Sequence, residues 1–138
     1  MEAYRQERIT TAGILCKDDR YFVAKREDKG SIGGLWEFPG GKNRWEESAE
    51  ETLKREFQEE LKLDIEVGPL LHTHDFVNKG TLYHQKAYLV SCNEDQKPLL
   101  SVHTTYRWVT KEELQSLQFA PSDQRIIASL LKRSYDQV

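Results

Sequence analysis

Glu56, Glu59 and Glu60 crowd into five consecutive positions of the stretch GGKNRWEESAEETLKREFQEELKL, which runs from Gly40 to Leu63. On a helix turning about 100° per residue, the three carboxylates span an arc of roughly 100°. Glu56 and Glu60 then form a like-charge pair four residues apart, while Glu59 and Glu60 oppose the helix macrodipole at its C-terminal end, costs of about 0.3 kcal/mol each or more. A plain solvated acidic face is one account of the cluster. Arg55, four residues before Glu59, softens one penalty but does not reach all three acids. A hard divalent cation does: Mg²⁺ or Mn²⁺ takes oxygen ligands and removes both the repulsion and the dipole penalty. The chemistry on offer is then that of a metal-holding surface beside a phosphate-sized cleft.

The elements that must position these acids follow from patterning. Ser48 with Glu51 three residues on is a capping box, so a helix is expected from about Ala49 to Leu61, with Ala49, Leu53, Phe57 and Leu61 as its core stripe and Glu51, Lys54, Gln58 and Lys62 on the opposite face. Before it, Ile9 to Cys16 and Tyr21 to Ala24 are β-rich runs around the turn-prone Asp18-Asp19, and Asp28 to Gly34 is a loop leading into a short strand, Leu35 to Phe38, stopped by Pro39-Gly40-Gly41. After it, Leu70 to Val77 and Thr81 to Val90 read as a hairpin joined by Asn78-Lys79-Gly80, followed by the polar loop Asn93 to Pro98. Tyr106 to Val109 is a further strand, Thr110 with Glu113 opens a short helix, and Pro121 to Arg133 is a last helix burying Ile126, Ile127, Leu130 and Leu131. Strands mixed with helices imply a layered α/β (α+β) fold, and the chain, residues 1–138, is expected to form a single domain.

Composition narrows the function. With 20 Lys and Arg against 23 Asp and Glu, the net charge of −3 gives no electrostatic grip on duplex nucleic acid. No apolar run approaches the roughly 18 residues of a membrane span and no apolar leader follows Met1, so a cytoplasmic protein is expected. Cys16 and Cys92 sit in apolar strand-like segments and are expected to be buried, reduced thiols.

The segment from Gly41 to Leu63 resembles the Nudix box: Gly, any five, Glu, any seven, Arg-Glu-aliphatic-any-Glu-Glu-any-Gly-aliphatic. Gly41, Glu47, Arg55, Glu56, Glu59, Glu60 and Leu63 match it, while Phe57 stands at the aliphatic position and Lys62 at the second Gly. Leu35-Trp36-Glu37-Phe38-Pro39-Gly40-Gly41-Lys42, Arg107-Trp108-Val109 and Ala120-Pro121-Ser122-Asp123 are similar to parts of the MutT-type branch. The resemblance implies a Nudix-like α/β/α sandwich with a central mixed sheet. It also implies divalent metal held by Glu56, Glu59 and Glu60, with the Gly41 carbonyl as a further ligand. Glu59 or Glu60 would assist as base, with Arg55 and Glu47 orienting the carboxylates.

The same resemblance assigns Arg26 to substrate phosphate, Phe38 to the base pocket with Trp36 as core or pocket wall, and Asp123 to base recognition. Independently of it, Ser122 or Asp123 would serve simply as a helix N-cap. MutT-type enzymes often place one more Glu before the Arg-Trp-Val-like strand; Val102 stands there, leaving His103, Glu94 or the box carboxylates alone to do its work. The Tyr or Pro typical of diadenosine-polyphosphate and ADP-ribose hydrolases is replaced by Asn78 and Lys79. The expectation is therefore Mg-dependent hydrolysis of a (deoxy)nucleoside triphosphate, of oxidised (8-oxo-dGTP-like) or cytidine type, to monophosphate and pyrophosphate. The alternatives are hydrolysis of another nucleoside diphosphate derivative, or a non-enzymatic nucleotide-binding or nucleic-acid-reading domain, to which the Trp-Glu-Phe-Pro-Gly segment is also similar.

Overall fold

The computed structural model describes residues 5–27, 33–93 and 95–133. Its elements are β1 (Gln6–Lys17), β2 (Arg20–Arg26), β3 (Trp36–Glu37), α1 (Ala49–Leu61), β4 (Ile65–Asn78), β5 (Thr81–Cys92), β6 (His103–Val109), α2 (Lys111–Leu114) and α3 (Pro121–Leu131). The strands form one mixed sheet. β1 runs parallel to β5, which pairs antiparallel with β4; at its other end β1 turns into β2, which carries β3 and β6 antiparallel to it.

Both tight hairpins rest on residues that tolerate positive φ. Asp18 and Asp19 adopt φ 52° and 62°, and Lys79 and Gly80 adopt 49° and 80°, the conformation that two-residue loops need to match strand twist. The first strand and the hairpin strands outrun their expected ends, and β4 begins at Ile65 instead of Leu70. Two register shifts, between Val67 and Leu70 and between Leu70 and His72, let β4 continue through Gly68-Pro69, where patterning alone reads a break.

Helices cover both faces, as an α/β/α sandwich requires. On one side Leu53, Phe57 and Leu61 of α1 pack with Leu15, Phe22, Val90 and Ile65; on the other, Ile126, Ile127 and Leu130 of α3 pack with Ala12, Ile14, Val23 and Ala87. Phe57 is accommodated by Gly13, because a Cβ there would lie 2.4 Å from the Phe57 ring. Leu131, expected in the core, is 38% exposed: α3 ends at this residue, two residues short of the expected Arg133. Cys16 and Cys92 are free thiols, half-buried and not sealed in the core.

The N-terminus of α1 carries the expected capping box between Ser48 and Glu51. Its exit is closed without a glycine, since Lys62 takes the left-handed conformation at φ 57°, with its N–H donating to the Gln58 carbonyl and that of Leu63 to the Phe57 carbonyl. That conformation costs a non-glycine residue about 1–2 kcal/mol. The segment before β6 helps offset it, because Ser101 Oγ donates to the Glu59 and Glu60 carbonyls and the Leu99 N–H to that of Leu61. These bonds supply part of what a basic last turn would give, and α1 has no basic residue there.

Candidate functional site

Arg55 organises the acidic face of α1. Its guanidinium forks onto Glu47, Nε to Oε2 at 2.6 Å and Nη2 to Oε1 at 2.9 Å, and its Nη1 donates to Glu56 at 2.7 Å and to Glu59 at 3.1 Å. The Lys42 carbonyl accepts a further bond at 3.2 Å. Glu47, in the turn before α1, also accepts from the Arg44 N–H and from Thr52 Oγ1. Hydrogen bonding to Arg55 is the main reason its carboxyl is held down at about 2. Arg55 thus ties together the loop, Glu56 and Glu59.

The three acids differ in surroundings. Glu59 is the most exposed and pairs with Arg44 at 3.0 Å as well as with Arg55. Glu56 is drawn both ways: burial raises its pKa despite the Arg55 contact. Glu60 is raised further, to about 8, first by burial and then by the charges of Glu37 and Glu56. Its Oε1 is buried with no hydrogen-bond partner. Gly41 packs against Glu56 so closely that a Cβ there would meet Oε2 at 1.7 Å. The Gly41 carbonyl already accepts from Thr11 N–H at 2.9 Å and from Thr11 Oγ1 at 3.0 Å, so both of its lone pairs are in use.

Glu56 and Glu60 open onto a cleft of about 960 Å³ that also takes in Gly41, Arg26, Phe38 and Asp123. Its size falls within the range of small-ligand sites. Arg26, the expected phosphate contact, lines the cleft but spends one N–H on Glu37 Oε2 at 3.1 Å. Trp36 is not among the residues lining the cleft; it packs on the core beneath the Arg107 guanidinium.

Asp123 is 6% exposed and its Oδ2 accepts from the Phe38 N–H at 3.3 Å. The N-cap expectation for Ser122 or Asp123 is corrected: Pro121 begins α3, Ala120 is the N-cap, and no side chain caps it. Burial, reinforced by Glu37, raises the Asp123 carboxyl well above the usual range, against the pull of the Phe38 N–H. The carboxyl therefore braces β3's exit segment against α3 and faces the cleft beside Phe38.

Two further residues belong to this neighbourhood. Glu37 lines the cleft, and His103, buried at the start of β6, meets Glu37 Oε2 through Nε2 at 2.8 Å. Ligand atoms of Glu37, Glu60 and His103 all lie within 4.8 Å of one another. Glu37 is hard to single out from sequence because it sits in a two-residue strand between Trp36 and Phe38. His103 is expected only as one stand-in, beside Glu94, for the missing loop Glu, and nothing in its own segment announces a partner 66 residues earlier. Val102 contributes its carbonyl to the Glu27 N–H. Glu94 lies outside the described residues.

Among the described residues no helix is long and apolar enough to cross a membrane. The chain matches the family model described as NUDIX domain over residues 10–129. It is 45% identical over 71 residues to the 8-oxo-dGTP diphosphatase of Proteus vulgaris, a match covering 49% of this chain and 63% of that protein, just under two thirds of its length. It is 32% identical over 114 residues to the CTP pyrophosphohydrolase of Escherichia coli K12, covering 81% of this chain and 82% of that one. The solution structure of the E. coli ORF135 protein superposes with a TM-score of 0.83 at 27% identity, covering 96% and 94% of the two chains. The match to the family model takes in the Arg55-centred acidic helix and the sandwich that presents it: the chain belongs to the Nudix family, as a hydrolase acting on phosphoric anhydrides.

Proposed function

We propose that the protein hydrolyses a nucleoside triphosphate to the monophosphate and pyrophosphate, using Mg²⁺, or Mn²⁺, held by Glu56, Glu59 and Glu60. One observation carries this reading: on the walls of one cleft, the buried and unpartnered Glu60 Oε1 stands beside Glu56, with Arg26, Phe38 and Asp123 lining the same space. The all-oxygen donor set suits a hard cation, and the orphaned Glu60 Oε1 is the group such a cation satisfies. When bound, the metal neutralises phosphate charge and acidifies water. The named relatives, an 8-oxo-dGTP diphosphatase and a CTP pyrophosphohydrolase, support a triphosphate substrate.

The chain's own residues divide the remaining work. Arg55 and Glu47 position Glu56 and Glu59 through the bonds described above, and a carboxylate oxygen of Glu59 or Glu60 that the cation would not take assists as base toward the attacking water. Burial and the neighbouring carboxylates raise the Glu60 carboxyl in the metal-free protein, the penalty that a bound cation would offset. Arg26, anchored by Glu37, keeps further N–H donors for phosphate oxygens. The Gly41 carbonyl is the weakest of the metal-ligand expectations, because Thr11 already occupies it. Phe38 walls the base, and Asp123 reads it: a neutral carboxyl accepts from an exocyclic amino group and donates to a ring nitrogen, whereas a charged one accepts twice.

Product analysis tests the reaction. With Mg²⁺ and one triphosphate, the expected products are monophosphate and pyrophosphate in equal amounts. Diphosphate with orthophosphate, or no cleavage of any triphosphate, contradicts the proposal.

A further inference from the structure

On β4 the rings of His72, His74 and Phe76 run in sequence along one face, with centroids 5.0 Å and then 5.8 Å apart, and Phe76 lies 5.2 Å from Tyr83 of β5. His74, Phe76 and Tyr83 line the cleft together with Gln85, which stands directly across from His74 in the sheet register. His74 is 8% exposed. Its Nδ1 lies 2.9 Å from Nε2 of the partly buried His72, and its Nε2 is buried without a partner. Buried polar nitrogens are nearly always satisfied, so an orphan in a cleft wall points to a ligand that completes it. The torsional profile about the Cβ–Cγ bond is broad in histidine, so turning the ring to meet a ligand in the cleft is inexpensive.

Both imidazoles are kept neutral. Burial, and then Arg125, push His74 down to about 4, with only Asp75 opposing; burial, Arg125 and Arg133 lower His72 as well. Two neutral imidazoles sharing one N–H···N bond have two arrangements. In the first, His72 Nε2–H donates to His74 Nδ1, and His74 carries its own proton on Nε2, a donor. In the second, His74 Nδ1–H donates to His72 Nε2, the other proton sits on His72 Nδ1, and His74 Nε2 is an acceptor. Passing from the first to the second releases the His74 Nε2 proton to water, moves the shared proton across, and takes one proton from water at His72 Nδ1. The pair holds two protons throughout.

We propose that His74 is a specificity-determining residue that offers Nε2 to the edge of the nucleobase, and that His72 sets whether this nitrogen donates or accepts. This rests on the nucleotide reading of the cleft. It gives one pocket the means to take bases of opposite hydrogen-bond polarity, such as a carbonyl-rich oxidised purine and an amino-bearing pyrimidine.

The test has two arms on the full chain. In ¹⁵N-histidine-labelled wild type without metal, saturating 8-oxo-dGMP or CMP is titrated in. The His74 Nε2 resonance is expected to move, toward the protonated position with one ligand and the unprotonated position with the other; no movement with either overturns the proposal, and the same movement with both overturns the His72 switch. In the second arm kcat and KM are measured with Mg²⁺ for 8-oxo-dGTP, dGTP, CTP and UTP. His74→Ala and His74→Gln are expected to raise KM about 5- to 100-fold for the preferred bases with kcat little changed, and His72→Leu to narrow the range to one base type. An unchanged ranking in all three variants overturns it. If wild type cleaves no triphosphate, the function proposed above fails, while the labelled titration still decides His74.

Discussion

Replacing Glu60 by Gln in the metal-free protein should stabilise it, and by an amount that depends on pH. The structure raises the Glu60 carboxyl from 4.5 to about 8, with burial as the largest cause and Glu37 and Glu56 adding to it. At about 1.36 kcal/mol per pKa unit that rise corresponds to ~5 kcal/mol, an upper figure because local opening and water entry reduce it. A carboxyl whose folded pKa is raised favours the folded state most below its unfolded pKa of 4.5. That contribution is lost as pH rises from 4.5 toward about 8, and the ionised group then carries its full penalty at higher pH. Gln keeps the shape and never ionises. Urea unfolding with EDTA present should therefore show little difference between Glu60→Gln and wild type near pH 5, and a gain for the variant of ~2–4 kcal/mol near pH 9. A difference that stays flat across this range would refute the burial argument. With Mg²⁺ the order should reverse in function, kcat falling at least ~100-fold.

Other substitutions probe the remaining parts of the site. Arg55→Lys keeps the charge but not the fork onto Glu47, Glu56 and Glu59, and should lower kcat more than ~10-fold with a modest loss of stability, read by steady-state kinetics beside thermal melts. Gly41→Ala drives a Cβ into the Glu56 carboxylate and should weaken Mg²⁺ binding in calorimetric titration, even though the Gly41 carbonyl is occupied by Thr11. Asp123→Ala orphans the Phe38 N–H, costing about 1–3 kcal/mol of stability, and should reduce kcat/KM roughly 5- to 100-fold for guanine and cytosine substrates relative to uracil ones; an unchanged ranking retires its base-reading role.

The acidic helix was legible because three local rules agreed on it: the Ser48–Glu51 capping box, the four-residue apolar stripe from Ala49 to Leu61, and carboxylates with no local reason to gather. The structure places Arg55 between Glu47, Glu56 and Glu59; the four-residue spacing predicts the Glu59 contact, and the family resemblance implies the tie to Glu47. What escaped reading depends on contacts between distant segments. An N-cap at Asp123 is overridden because the helix starts at Pro121, with Ala120 as its N-cap, and because the Asp123 carboxyl takes a backbone partner at Phe38. Glu37 and His103 converge because β2 pairs on one side with β3 and on the other with β6, and Glu60 joins them from α1. Ser101 capping the end of α1 is invisible for the same reason. β4 was shortened in the reading because Gly68-Pro69 breaks the alternation, whereas the sheet absorbs it as register shifts.

The Arg55-ordered acids of α1 are proposed to form a metal-dependent pyrophosphohydrolase centre. The initial rate of pyrophosphate release from a nucleoside triphosphate, followed in wild type and Glu59→Gln as Mg²⁺ is titrated into EDTA-treated protein, tests it most directly. No release without metal, saturable recovery in wild type, and a rate at least ~100-fold lower in the variant at saturating Mg²⁺ are expected. Metal-independent release, or equal rates in the two proteins, would contradict it.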